Sequence, residues 1–571
     1  MTKDDWDKVF DIEVALRIIK HISSGIYRRP AGPLRELVSN SFDSQATRVT
    51  IDTGAPEFRT IRIRDDGLGM TRESVEKSFR SIGASQKVTF PERFGGNRAR
   101  RLVGKFGIGI LSCAHASRDI LIQSFVDRDK PGLEVSLDLN PYFEFVNQVH
   151  PLDSFQFGTV KYRKLTNDDH RRGTDVILDR VDLREAFHAM ISSPGESSVA
   201  WPSGPEQDSG QAMEGLVRKF ADSGVLTMES LPGREQILWE LGLMCPVEYL
   251  PDGPIADEFL NTTTRPVIRR LRDRAATLGF KLIFDGVEVR KPILLPTPKK
   301  VSSTVDQYDA SLGEDVKVWT REFNLGATSE RPVTATGYLL YQPNRVTPLE
   351  LRGLYPRVSD VGIGGYENSF FKGIRTENPI FRVSVSGELY IDAGLDDALN
   401  LDRSGFMELD PEYRELQKAV FTWIGPGTSG EPGLSQQAKS ASTARSKRRR
   451  GIKREIRKDE QERKTEHYAK RAGLSYAAHF ESTPAKVPRG SPRPKPFGSG
   501  IKADYRSISA YPSGKRTLLL VNDSTKTVDM SPELDNPVLA GVILAAHRAL
   551  GQSSRPAELR RMFADALASI V

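Results

Sequence analysis

Over residues 1–190 the apolar positions recur with two different periods. Period-two alternation predicts short strands over 47–52 and 60–65, with Ile61 and Ile63 on one face, and further strands over 118–125, 133–139 and 173–178. Spacing of three and four predicts helices around 12–22, 33–44 and 72–81. Mixed in this order, the elements predict an α/β layer, but not the regular alternation of a doubly wound sheet.

A Ser/Pro/Gly-rich stretch at 192–210 interrupts the pattern, and a helical segment at 236–243 follows it. A second strand-rich region is expected to start near Phe280, where 282–284 and 287–289 flank Asp285-Gly286, a hairpin signal. Strands over 337–341 and 381–391 and a helix over 411–423 complete it. From 425 to 500 the composition is that of a linker, beginning PGTSGEPG, although 447–471 has the character of a charged, solvent-exposed helix. A strand at 516–521 and amphipathic helices at 537–550 and 557–571 follow. The expected organisation is therefore an α/β (α+β) multidomain chain: an N-terminal domain over 1–190, a loop and helical connector over 191–254, a second α/β domain over 255–424, a basic linker over 425–500 and a small α/β unit over 501–571.

Composition narrows the class. Hydrophobic residues make up 38% and charged residues 27%, which excludes a fully disordered chain. Two cysteines, Cys113 and Cys245, supply neither a disulfide framework nor a cysteine zinc site. The longest apolar run, 538–546, is too short to cross a bilayer, and the first residues lack the apolar core of a secretory signal, so a cytoplasmic protein without membrane attachment is expected. The net charge of +7 is local. Arg445 and Arg471 bound a run with 13 Lys/Arg against five Asp/Glu, which leaves 69 basic and 70 acidic residues elsewhere. Any argument for a polyanionic partner rests on that run.

Candidate chemistry is concentrated near the N-terminus. On a helix at ~100° per residue, Glu36, Asn40 and Asp43 fall within about 60° of one another, opposite Leu34, Leu37, Val38 and Phe42. The strand at 60–65 runs into Asp65-Asp66-Gly67-Leu68-Gly69-Met70. Alternate glycines let a flat ligand approach the backbone, and a carboxylate at the strand end can accept a hydrogen bond from an exocyclic amine. Further on, Gly104-Lys105-Phe106-Gly107-Ile108-Gly109 precedes an apolar helical pattern, an arrangement that exposes backbone N–H groups to phosphate. Arg172-Gly173-Thr174 opens a later strand.

In this order, the four elements resemble the GHKL superfamily, named for gyrase, heat-shock chaperone, histidine kinase and MutL ATPases, and within it most resemble the heat shock protein 90-like and MutL/MORC-like members. The resemblance covers about residues 10–180 and implies a Bergerat-type α/β sandwich that binds ATP with Mg2+ and hydrolyses it. By the same resemblance Glu36 is the general base, and Asn40 the magnesium ligand. Asp65 accepts from the adenine amine in a pocket shaped by Gly67, Gly69 and Met70. Gly104, Lys105, Phe106, Gly107 and Gly109 form the phosphate-wrapping hinge, and Thr174 supports Asp65. Asp43 is a candidate for the adenine-side network. The stretch between Arg80 and Gly104 resembles a mobile ATP lid, in which Lys87 and Arg101 are candidate phosphate contacts.

The same relatives imply an S5-like second domain that delivers a cation to the γ-phosphate, with Arg352, Arg357 and Arg403 as candidates and 387–406 as the matching stretch. The functional expectation is an ATP-driven conformational switch, working as a homodimer on a protein client or on nucleic acid reached through the Arg445 to Arg471 run. Two alternatives remain. One is a kinase of the histidine-kinase type, against which stands the lack of acidic and basic neighbours around His21. The other is a non-hydrolysing, nucleotide-gated adaptor, against which stands Glu36.

Overall fold

The computed structural model describes residues 31–80, 113, 117, 119–138, 159–181, 186–195, 197, 199–202, 211–223, 227–292, 315–326, 331–366, 369–372, 379–400, 403–425, 427–471 and the strand segments 495–496, 508–513, 516–521 and 526–529. Helix α1 (Ala31–Asp43) leads into the antiparallel pair β1 (Arg48–Asp52) and β2 (Ile61–Asp65). In β2 burial alternates residue by residue: Ile61, Ile63 and Asp65 point inward and Arg62 and Arg64 outward, as a pleated strand requires. Helix α2 (Arg72–Arg80) follows, then β3 (Asp119–Phe125), β4 (Gly132–Asp138), β5 (Thr159–Leu165) and β6 (Gly173–Asp179).

A six-residue helix, Ala186–Ile191, and three longer ones come next, α3 (Gln211–Ser223), α4 (Gly233–Met244) and α5 (Thr264–Thr277), before the short strands β7 (Lys281–Phe284) and β8 (Val287–Val289). The hairpin is the expected one. Asp285 (φ 46°) and Gly286 (φ 80°) adopt the left-handed conformations of its two-residue turn. Its place in the fold differs from expectation, because β7 pairs in parallel with β1 and extends the first sheet to the order β5-β4-β3-β6-β2-β1-β7-β8. The cause is the Asp285 side chain, which accepts from the Thr53 amide at 2.8 Å and the Thr53 hydroxyl at 2.7 Å and fastens the turn to the end of β1. Phe42 of α1 meets Phe280 edge-to-face at 5.1 Å, so the helix also packs against the start of this hairpin.

The second sheet begins at β9 (Lys317–Leu325) and includes β10 (Val333–Tyr341), β11 (Gly353–Val358), β12 (Val361–Gly362) and β13 (Val385–Ala393), in the order β12-β11-β13-β10-β9. Helix α6 (Pro411–Ile424) buries Tyr413, Leu416, Val420, Trp423 and Ile424 in the core of this sheet. Asp410 caps it, accepting from the Tyr413 amide at 2.9 Å, and Pro411 occupies its first turn.

The charged helix expected over 447–471 is present but starts earlier: α7 (Leu434–Arg471) has 38 residues and takes up about half of the expected linker. Composition hid its first turns. Leu434 and Ala438 are buried in the second core, and the Trp319 indole donates to Gln437 at 2.9 Å.

By their contacts, residues 1–300 and 311–443 form one compact unit, and 301–310 with 444–571 form another. In the latter, Ile508–Ser513, Arg516–Val521 and Lys526–Asp529 make an antiparallel ladder, with Lys495–Pro496 parallel to the last strand. The expected helices at 12–22, 537–550 and 557–571 lie outside the described residues. Among the described residues no helix is long and apolar enough to cross a membrane.

Candidate functional site

The register of three neighbouring strands builds the centre of the site. Asp65 of β2 lies opposite Thr174 of β6, and Thr174 lies opposite Ser124 of β3. The buried Asp65 carboxylate accepts from the Ser41 hydroxyl of α1 at 2.8 Å, from the Gly67 amide at 2.9 Å and from the Thr174 amide at 3.2 Å. Burial pushes its carboxyl above the usual carboxylate range, and the same three donors oppose that shift. The Ser124 and Thr174 hydroxyls are 3.1 Å apart, and the Met70 amide donates to Ser124 at 2.7 Å, so the glycine loop is fastened to the same row.

Two glycines are sterically required here. A Cβ on Gly69 (φ +71°) would fall 2.5 Å from the Phe125 carbonyl oxygen. One on Gly173 (φ +125°) would fall 1.9 Å from the carbonyl oxygen of Asp65. A Cβ on Gly67 would crowd the Ser44 carbonyl at 2.7 Å. The neighbouring Asp66 is a turn staple that sequence reasoning passed over. It accepts from the amides of Thr47 at 2.7 Å and Arg48 at 2.9 Å.

Helix α1 is buried on nearly its whole circumference, not on one apolar face. Of its residues only Asn40 is half-buried; Glu36 and Asp43 are buried with Leu34, Leu37, Val38 and Phe42. The polar positions therefore turn toward the protein and not into bulk water. Arg35 donates to Glu36 at 3.0 Å and approaches the Met244 sulfur at 3.8 Å, at the C-terminal end of α4. From the other side, the buried Arg403 places its guanidinium 3.9 Å from Glu36 and 3.5 Å from the Ser39 hydroxyl. Arg403 has φ 52°, and backbone bonds to Asn400 and Gly364 hold it in place.

The three arginine candidates are thus separated by geometry. Arg357 is wholly buried and spends its donors on Glu388, at 2.5 and 2.8 Å, and on the Leu243 carbonyl at 2.7 Å. This is a structural ion pair on the second sheet, with Tyr249 and Tyr338 also donating to Glu388. Arg352 donates to the Val346 carbonyl at 2.8 Å. Arg403 is the candidate that reaches α1.

Beside Arg357 lies Lys291, fully buried, its ammonium nitrogen 5.0 Å from the Tyr249 ring centre and without a hydrogen-bond partner. Burial first, then the Arg357 charge, lowers its pKa to about 7. Burial also pushes the Cys245 thiol up to about 12, which makes it inert. Lys87, Arg101, Gly104, Lys105, Phe106, Gly107 and Gly109 lie outside the described residues.

A metal held by protein carboxylates and imidazoles alone has no place among the described residues, which contain no cluster of three or more His, Cys, Asp or Glu suited to one. The half-buried Asn40 amide suits a different arrangement, in which a hard cation takes most of its oxygens from phosphate and water.

Comparison with known proteins points to one family. Residues 27–170 match the family described as histidine kinase-, DNA gyrase B- and HSP90-like ATPase. The chaperone protein HtpG of Idiomarina loihiensis is 28% identical over 178 residues, 27% of this chain and 24% of that protein. The DNA mismatch repair protein MutL of Aliivibrio salmonicida is 29% identical over 176 residues, covering 29% and 26%. A putative type II restriction enzyme, HgiDII of Herpetosiphon aurantiacus, is 31% identical over 106 residues, covering 19% and 16%. The chain thus spans about a quarter or less of the length of these curated relatives. Family match and α/β sheet agree: residues 27–170 belong to the GHKL superfamily of ATPases.

Proposed function

We propose that the chain is a magnesium-dependent ATP hydrolase that works as a conformational switch. The observation that carries this reading is the double duty of α1. One turn of it braces the Asp65 carboxylate through Ser41, and an earlier turn offers Glu36, paired with a cation from the second sheet's side of the molecule.

A carboxylate has about four lone-pair directions, and Ser41, Gly67 and Thr174 use three at Asp65. The fourth is open to the amine of adenine, whose flat ring fits against the loop that Gly67 and Gly69 leave without side chains. Asn40 would hold the magnesium ion that accompanies ATP, and that ion would neutralise phosphate charge. Glu36 orients the attacking water and takes its proton. Arg403 is the residue through which the second sheet senses the nucleotide. A terminal phosphate competes with Glu36 for its guanidinium, so binding frees the base and draws the two parts together.

In this reading the working form is a homodimer, and its output is the remodelling of a protein or nucleic-acid complex. The relatives' descriptions, a chaperone and a DNA mismatch repair protein, suit either output. Glu36→Ala tests the assignment. It should lower kcat for phosphate release by about 100-fold or more while nucleotide binding persists. Equal, nonzero rates for the two proteins would remove Glu36 from the chemistry.

A further inference from the structure

Beyond its anchored first turns α7 is mostly polar, and its exposed cations gather on one side. At ~100° per residue Lys447, Arg450, Lys453, Arg454, Arg457 and Lys458 fall within an arc of about 140°, and all six are exposed. Glu455 and Asp459 lie on the other side with the half-buried Arg445, Arg448 and Arg449, and Glu460 borders the arc at its end. The arrangement is costly for an isolated helix. A solvated helix gains by setting acids three or four residues from bases. Glu455 and Glu460 do stand three from Lys458 and Arg457, but Lys447, Arg450, Arg454 and Lys458, and likewise Lys453 and Arg457, follow one another at three or four, where like charges repel. Gly451, an intrinsically poor helix former, stands within the same stretch. Such a ridge is relieved by a polyanion.

We propose that this ridge binds the sugar-phosphate backbone of duplex DNA without reading its sequence. From Lys447 to Lys458 the helix rises about 16 Å, along which a duplex presents one negative charge per ~1.7 Å. The stretch 445–460 contains no aromatic residue, so it offers nothing for unpaired bases to stack on, which disfavours single strands. An α-helix fits the wide major groove of B-form DNA and not the deep, narrow groove of A-form RNA. The six exposed cations, and not the half-buried opposite side, are what a duplex can reach.

The test is fluorescence anisotropy of a labelled 30-base-pair duplex with the full chain, without nucleotide, across a salt series. Six phosphate contacts predict a log–log salt slope of about −5. The decisive variant keeps the net charge and moves cations off the ridge: Arg454→Glu with Glu455→Arg, and Lys458→Asp with Asp459→Lys. It should bind about 10-fold more weakly and with a shallower slope, while circular dichroism and ATP turnover stay at the parent level. Unchanged affinity in a folded variant would overturn the proposal. So would binding of phosphatidylserine vesicles or single-stranded RNA in place of the duplex. Because ATP turnover is measured separately, loss of the ATPase reading would leave this result interpretable.

Discussion

The guanidinium of Arg403 stands 3.9 Å from the carboxylate of Glu36, and both side chains are buried. Arg35 holds the other oxygen of the same carboxylate at 3.0 Å. In the proposed reaction Glu36, flanked by two cations, would be positioned but occupied until one of them had another anion to serve. A terminal phosphate is such an anion.

Arg403→Ala should therefore lower kcat by about 100-fold or more with a much smaller change in KM, as expected for a charge that acts mainly in the transition state. Steady-state phosphate release at saturating ATP measures it. Combined with Glu36→Ala, the loss should be far from additive, because the two residues act as a unit. Independent, fully additive losses would separate Arg403 from Glu36.

The glycine loop makes a second prediction through a pair of substitutions. Gly279 has φ +53° with open space where its Cβ would go, so Gly279→Ala carries only the left-handed backbone cost of about 1–2 kcal/mol. Gly69→Ala adds a contact at 2.5 Å with the Phe125 carbonyl and should cost at least about 1 kcal/mol more. It should also displace Met70 from Ser124 and weaken nucleotide binding. Urea unfolding of the two variants decides it; equal losses would mean that the loop gives way freely.

Lys291 predicts a pH dependence. Its pKa falls from the ordinary lysine range to about 7 on folding, because burial disfavours the ammonium and Arg357 adds repulsion; Asp360 and Glu388 oppose the shift, and Arg274 reinforces it. Between pH 7 and about 10 the unfolded chain holds a proton that the folded chain lacks, so stability rises with pH there by about 1.4 kcal/mol per unit. Below pH 7 the cost is fully present. Lys291→Met should be more stable than the parent at pH 7 and should lack that rise. Urea unfolding at pH 7, 8 and 9 gives both slopes, and parallel slopes would sink the idea.

Much of the site was legible because its signals are local. The helix over 33–44 and the strand ending at Asp65 announce themselves by periodicity, and the glycines by their spacing. What stayed hidden depends on register across the sheet. Ser124 is an ordinary polar residue in β3 until β6 places it opposite Thr174. Asp285-Gly286 signals a hairpin but not which sheet edge receives it, a choice made by the side chain of Asp285 on Thr53. Among Arg352, Arg357 and Arg403 no short-range pattern could choose, since the partners that distinguish Arg357 and Arg403 are Glu388 and Glu36, on other elements. Strand β9, KVWTREFNL, alternates too weakly to stand out, and the buried root of α7 was masked by its polar composition.

Central to the proposed activity is that Asp65 receives an adenine ring. Calorimetry of a non-hydrolysable ATP analogue with magnesium tests it most directly, comparing the parent chain with Asp65→Asn, which keeps an oxygen for the Gly67 and Thr174 amides but loses the charge and the spare acceptor. Saturable heat is expected for the parent, and an affinity lower by about 100-fold or more for the variant. No heat with the parent, or equal affinity in the two proteins, would contradict it.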